Sequence, residues 1–454
     1  MSAPINEFIK KYAQSGTVRF HMPGHKGVKF HGMEDMDITE IRGADYLFEP
    51  DGIIAQSEAQ TAAAFDTART LYSTEGSSLC IKTMLAVIEL KRKSKGKRML
   101  CVAPRNVHKA FINACILLDA EVFWVYPKKP SSSICCGEIT AEDIEKAIAE
   151  CENSEFGRKP DCVYVTSPDY LGNICDIKGM AEVCHINSIP LICDNAHGAY
   201  LKFLEEDIHP ITLGADMCCD SAHKTLPCYT GGAYLHISKN APKAFSECVK
   251  NAMSLFASTS PSYLIMQSLD LCSEYINGDY RKELAETVKR TALCKERIAS
   301  YGWVLCGDEK CKITINANRS GLEGTELGDM LREHGIEPEY TDFTYVVLMI
   351  TPFNKERDLE VLEKAMAKIV QPKIRVRPQG DDIFIPRAKP KMNIRRAAFS
   401  DCTSVKVDDA EGRICAMTVT CCQPSVPIVI SGEEITADII KILKRYSIYE
   451  INVI

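Results

Sequence analysis

The chain has 454 residues, 46% of them apolar and 25% charged, with a formal net charge of −7. No run of 18 or more apolar residues occurs, which excludes a membrane-crossing helix, and the acidic balance argues against a bulk polyanion binder. The count of 22 cysteines is unusual, but disulfide scaffolds are short and secreted, and no Cys-x-x-Cys spacing offers a metal centre.

From the N-terminus, Met1 to Lys11 lacks the apolar stretch of a secretory signal. His21 and His25 sit four apart but have no carboxylate at metal-ligand spacing, so no metal is expected there. Gly76, Ser77 and Ser78 open an apolar helix. The basic run Lys91–Arg98 ends that helix, with Gly96 as its C′ residue. Residues 98–104 read as a buried strand, 106–119 as a helix and 121–127 as a second strand. A further helix starts at Ala141 with Thr140 as its cap. Four short apolar runs follow, over 161–168, 189–196, 215–221 and 231–238. Short apolar strands between amphipathic helices predict a mostly parallel sheet with helices on both faces.

After about residue 280 the pattern changes to a long polar-faced helix ending at Gly302. A second, smaller α/β unit continues to about Val370. The basic, proline-rich stretch Lys373–Arg396 reads as a linker. A β-rich piece over 397–430 comes next, then a helix opening at Ser431. The basic clusters have few flanking aromatics, so no nucleic-acid contact is expected.

The chemistry concentrates at strand ends, where ligands bind in such sheets. Lys224 follows His223 just past one apolar strand and can form a Schiff base if desolvated. Asp194 ends another strand and can hold a pyridinium nitrogen. Gly76, Ser77 and Ser78 open a helix whose N–H groups form an anion site. One sheet edge therefore offers an amine nucleophile, a carboxylate and a phosphate cradle.

At these residues the chain resembles the bacterial Orn/Lys/Arg decarboxylases, pyridoxal-phosphate enzymes of the aspartate-aminotransferase fold (fold type I). The matching stretches are His21–Gly27, Gly76–Ser78, Arg105–Phe111, Thr166–Gly172, Asp194–Tyr200, Ser221–Leu226, Ser258–Tyr263, Gly335–Glu339 and Gly412–Thr436. They are collinear and span nearly the whole chain.

The resemblance implies an α/β fold with an N-terminal arm (1–50) and a large cofactor domain (51–280). A small α/β domain (281–372) and a C-terminal family domain (373–454) complete it. It implies pyridoxal 5′-phosphate bound through Lys224, with Asp194 on its ring nitrogen, His108 stacked on one ring face and Ala196 on the other. His197 would lie near the ring hydroxyl. Gly76, Ser77, Ser78, Ser221 and His223 would hold the phosphate, with Thr259 and Ser260 reaching it from a second subunit. Lys224 or His223 would return a proton to the substrate, and Glu339 would bind its distal cation. The implied reaction is decarboxylation of arginine, lysine or ornithine in polyamine-type metabolism, by a cytoplasmic homodimer or dimer of dimers with its active site at the subunit interface. The alternatives are an aminotransferase or lyase of the same fold, with Arg387 or Arg395 on the α-carboxylate, or an inactive cofactor-binding homologue.

Three departures from the family pattern bear on the substrate pocket. They are Thr230-Gly231-Gly232, the stretch Gln423–Ile428, and Ile394 with Arg396 in place of a proline and an acid. The cysteines, by contrast, read as strand filler in a reducing cytosol.

Overall fold

A computed structural model describes residues 2–94, 96–129, 133–371, 385, 387–421 and 425–454. In chain order the elements begin with α1 (Pro4–Gln14), α2 (Ile53–Phe65), β1 (Arg69–Ser73), α3 (Gly76–Lys91), β2 (Leu100–Pro104), α4 (Lys109–Leu118) and β3 (Glu121–Val125). They continue with α5 (Ala141–Asn153), β4 (Cys162–Thr166), α6 (Ile177–Ile186), β5 (Leu191–Asp194), β6 (Met217–Asp220), α7 (Ala222–Thr225) and β7 (Ala233–Ile237). Then come α8 (Lys243–Ser254), α9 (Tyr263–Ile276), α10 (Tyr280–Ser300), β8 (Leu305–Cys306), β9 (Lys312–Asn316), α11 (Gly324–Glu333), β10 (Tyr340–Thr341), β11 (Tyr345–Met349) and α12 (Glu356–Lys368). The last are α13 (Ile394–Ala398), β12 (Thr403–Lys406), β13 (Val419–Thr420), β14 (Pro427–Val429), α14 (Ala437–Arg445) and β15 (Glu450–Val453).

The chain forms two compact units, one of residues 1–95 and 177–282, the other of residues 96–176 and 283–454. In the first, the strands run in the order β1-β7-β6-β5. Strands β5 and β6 are parallel, with Asp194 beside Cys219. Strand β7 departs from the parallel pattern and pairs antiparallel with both β6 and β1. The connection 221–232 carries only the one-turn helix α7, too short for a crossover to a parallel neighbour. Helix α3 is apolar nearly all round, and Leu79–Ile81 and Thr83–Ile88 are buried, as such a pattern requires.

Asp45 fixes the loop into α2. Its carboxylate accepts N–H bonds from Tyr46, Asp51, Gly52, Ile54 and Ala55. Partial burial opposes ionisation, but these donors outweigh it and hold the carboxyl below its ordinary value. A depressed carboxylate stabilises the fold above its unfolded-state pKa, and that contribution is lost as pH falls below it. Asp45→Ala should therefore cost about 1 kcal/mol in denaturant unfolding at neutral pH. The difference from wild type should shrink in acid.

In the second unit, β4, β2 and β3 run parallel in that order. A separate antiparallel sheet runs β10-β11-β9-β8. It packs with α10, α11 and α12 around Trp303, Ile313 and Leu327. A second core gathers Val429, Ile439 and Val453. Thr140 caps α5 in a reciprocal box with Asp143.

Three local expectations are corrected. Helix α3 stops at Lys91, because Arg92 turns to extended backbone and bonds Glu89, so Gly96 is not its C′ residue. The helix expected from residue 106 starts at Lys109, because His108 caps it. Among the described residues, the piece 397–430 holds the end of α13, a 3-10 turn at Val407–Asp409 and the short strands β12, β13 and β14. Most of the linker 373–396 lies outside the described residues, as do Gln423 and Pro424.

Candidate active site

In the first unit, Asp194 ends β5 and is buried. Its Oδ1 accepts the Ala196 N–H at 3.1 Å and the Cys219 thiol at 3.6 Å. Burial pushes the Cys219 thiol up, so it stays a protonated donor. Strand β6 ends at Asp220, and the turn α7 then presents His223 and Lys224. Lys224 Nζ lies 2.9 Å from His197 Nε2. His223 Nδ1 lies 3.0 Å from the Gly232 carbonyl oxygen, which can only accept, so Nδ1 carries the proton.

The start of α3 forms the third part. Ser221 Oγ bonds Ser77 Oγ at 2.7 Å, with Ser78 next in the same turn. Gly76 has φ +69°, and no described atom lies within 4 Å of where its Cβ would stand. Its N–H bonds the Gly231 carbonyl at 2.7 Å. Gly231 itself has φ +96°, and a Cβ there would stand 3.0 Å from the Thr74 carbonyl. Glycine at 231 thus permits the close approach. Thr259 and Ser260 are exposed on the loop before α9, whose Ser258 N–H bonds Glu75 Oε1 at 2.8 Å. Hydroxyls and N–H groups at a helix start, an amine beside an imidazole, and a buried carboxylate together fit pyridoxal phosphate.

A buried network behind these groups was not foreseen. Asp220 accepts from Asn195 Nδ2 at 2.7 Å, and from His209 and His236 Nε2 at 3.1 Å each. Asp220 and both imidazoles are wholly buried. Burial opposes ionisation, yet the two imidazoles hold the Asp220 carboxyl below the usual carboxylate range. His209, Cys218 and Asp220 also lie within metal-ligand reach of one another. The imidazoles are nevertheless satisfied otherwise: the second nitrogen of His209 accepts Ile211 N–H and that of His236 bonds Thr70. The only signal in the sequence was a carboxylate ending an apolar strand.

His108 and Glu339 belong to the second unit. His108 is the N-cap of α4, its Nδ1 accepting Ala110 N–H at 3.1 Å. Tyr170 Oη donates to Glu339 Oε1 at 2.9 Å. Burial and the neighbouring carboxylate push the Tyr170 phenol up, so it remains the donor. Arg105, three residues before His108, makes a buried ion pair with Glu433 at 2.8 Å. Arg395 donates to the Ile116 and Leu117 carbonyls at 3.1 and 2.8 Å. Arg387 lies 5.5 Å from the Tyr126 ring centroid. In the N-terminal arm, His21 bonds Tyr12 and His25 bonds Asp37.

Comparison with known proteins finds likenesses in sequence and fold over nearly the whole chain. Residues 3–316 match the sequence model of the Orn/Lys/Arg decarboxylase major domain, and residues 381–449 that of the C-terminal domain. The arginine decarboxylase of Bacillus subtilis (strain 168) is 28% identical, over 96% of this chain and 91% of its own. That of Halalkalibacterium halodurans is 27% identical, over 95% and 91%. The solved lysine decarboxylase of Francisella novicida superposes with a TM-score of 0.82 at 17% identity, over 100% of this chain and 81% of its own. The fold is therefore the expected one, a mostly parallel sheet with helices and a smaller C-terminal domain.

Proposed function

The chain belongs to the Orn/Lys/Arg decarboxylase family, and on that premise we propose that it removes the α-carboxylate of a basic amino acid, releasing the amine and carbon dioxide. The observation that carries this reading is the Lys224 amine on His197, next to the strand end of Asp194. Pyridoxal phosphate, when bound, supplies an electron sink for the bond that breaks. Lys224 would hold the cofactor's aldehyde end. Asp194 would keep a proton at its ring nitrogen, with His197 near the ring hydroxyl. His108 and Ala196 would pack on the ring. Gly76, Ser77, Ser78, Ser221 and His223 would hold the phosphate, with Thr259 and Ser260 of a second copy. Lys224 or His223 returns a proton to the α-carbon, and a water-poor pocket favours loss of the carboxylate charge.

Glu339 takes the substrate's distal cation, its carboxylate oriented by Tyr170. Arginine is the first candidate, since a carboxylate accepts a guanidinium through two bonds and both curated relatives above carry that substrate in their names. Arginine, lysine and ornithine should be assayed separately for amine, carbon dioxide and keto acid. Amine with carbon dioxide is expected; keto acid alone would overturn the reaction. Glu339→Gln should raise KM about 30-fold with little change in kcat, the loss of one charge-assisted bond. An unchanged KM removes Glu339 from the pocket. The aminotransferase alternative is weakened because Arg395 is engaged by carbonyls of α4.

The active form is read as a homodimer or a dimer of dimers. The arm exposes Phe20 (92%) and Phe30 (85%), an apolar surface that a second copy covers. The division into arm (1–50), cofactor domain (51–280), small domain (281–372) and C-terminal domain (373–454) is retained in this reading. No helix among the described residues is long and apolar enough to cross a membrane. The described cysteines are free thiols, and the protein is read as cytoplasmic, where thiols stay reduced.

A further inference from the structure

Taking His108 as the residue that stacks on the cofactor ring, we propose that residues 387–421 and 425–454 are its positioning frame. They hold helix α4 at both ends and so fix the imidazole that caps it.

Helix α4 has ten residues, too few to be stable alone. Its ends leave N–H and C=O groups that need outside partners. His108 is part of the first turn, because its Nδ1 accepts the Ala110 N–H. The proton therefore sits on Nε2, and the position of the ring follows the position of the helix. Whatever fixes α4 fixes His108.

The C-terminal segment supplies partners at both ends. At the start, the Lys109 N–H bonds the Ser425 carbonyl at 3.0 Å. Just before it, Arg105 Nη2 bonds Glu433 Oε2 at 2.8 Å, with the guanidinium 5.1 Å from the Trp124 ring centroid. Glu433 is anchored in turn, since the same oxygen accepts the Ile430 N–H at 2.7 Å. At the far end, Arg395 donates to the carbonyls of Ile116 and Leu117, placing a cation where the helix dipole favours one. Asn393 Nδ2 bonds the C-cap Asp119 at 3.2 Å. The same Asn393 caps α13 through its Oδ1. The frame residues come from three separated stretches, so α4 cannot rotate or slide without breaking contacts at both ends. Arg105, Glu433 and Arg395 are positioning residues that act through His108.

The test uses the full chain loaded with pyridoxal phosphate and the variants His108→Ala, Glu433→Gln, Arg395→Ala and Arg395→Lys, with the double variants carrying His108→Ala. Cofactor dissociation constant, circular dichroism of the bound cofactor, kcat and the thermal midpoint of the cofactor-free protein are measured. Glu433→Gln and Arg395→Ala should each weaken cofactor binding about tenfold and lower its dichroism, and Arg395→Lys should recover part of both. In the His108→Ala background the same changes should have no further effect on the cofactor. Additive effects there, or a lowered thermal midpoint with unchanged cofactor affinity, overturn the frame while leaving the function reading intact. His108→Ala without effect overturns the stacking role and the frame with it. Arg395 is at the surface, so its variants keep the test decisive if Glu433→Gln fails to fold.

Discussion

Lys224→Ala should lower amine formation by about 10⁴-fold or more, through kcat rather than KM. The side chain stands on a one-turn helix directly after β6, with its amine 2.9 Å from His197. Nothing else in that turn offers a primary amine. The loss removes both the cofactor's covalent tether and a proton carrier, two roles that no neighbouring hydroxyl can take over. Lys224→Arg should be equally inactive, because a guanidinium stays protonated and cannot act as the nucleophile. Steady-state turnover and the visible absorbance of the bound cofactor check both variants. Retained turnover in either would remove Lys224 from the chemistry, whereas a wild-type protein without turnover that Lys224→Ala leaves unchanged would be a homologue without decarboxylase activity.

Asp220→Ala should destabilise the cofactor-free protein by about 3–5 kcal/mol, the cost of breaking a buried charged cluster from one side. That is a large share of the roughly 5–15 kcal/mol typical of a folded domain. The variant leaves the Asn195 amide and two buried imidazole N–H groups without their acceptor. Asp220→Asn should be less severe, since its amide oxygen still accepts while its NH₂ faces donors. The acid dependence has a fixed sign. A carboxyl held below its ordinary value stabilises the fold above the unfolded carboxylate pKa, and the contribution is lost as pH falls below it. The gap between wild type and Asp220→Ala in denaturant unfolding should narrow in acid. A thermal midpoint unchanged at neutral pH would mean that the cluster carries no net stability.

Much of the cofactor side was legible from residue type and order. Lys224, Asp194 and Gly76–Ser78 each sit where an apolar run stops or a helix starts, and such boundaries show in local pattern. The Asp220 cluster did not. Asp220 ends its strand as expected, but His209 lies in a loop and His236 inside β7, where the register sets Asp220 beside Tyr234 and Cys218 beside His236. An imidazole in an apolar strand carries no local mark of its partner. His108 was named in the sequence, yet its place as the cap of α4 was not, because the expected helix began at Asn106. The cysteines around the site, Cys193, Cys218 and Cys219, are buried in strands as read. Cys219 also donates to Asp194, a contact that only the parallel register of β5 and β6 creates.

The sequence by itself determined the alternation of strands and helices, the cap at Thr140, the helix start at Gly76, and the order of the chemical groups along the chain. These follow from periodicity and from backbone preferences that act within a few residues. Only the tertiary structure decided that β7 turns antiparallel, that Asp220 gathers two imidazoles, and that Glu433 reaches Arg105 across 328 residues. Such pairs form because a buried charge must find a partner wherever the packed chain brings one, and that place is not written in any local spacing.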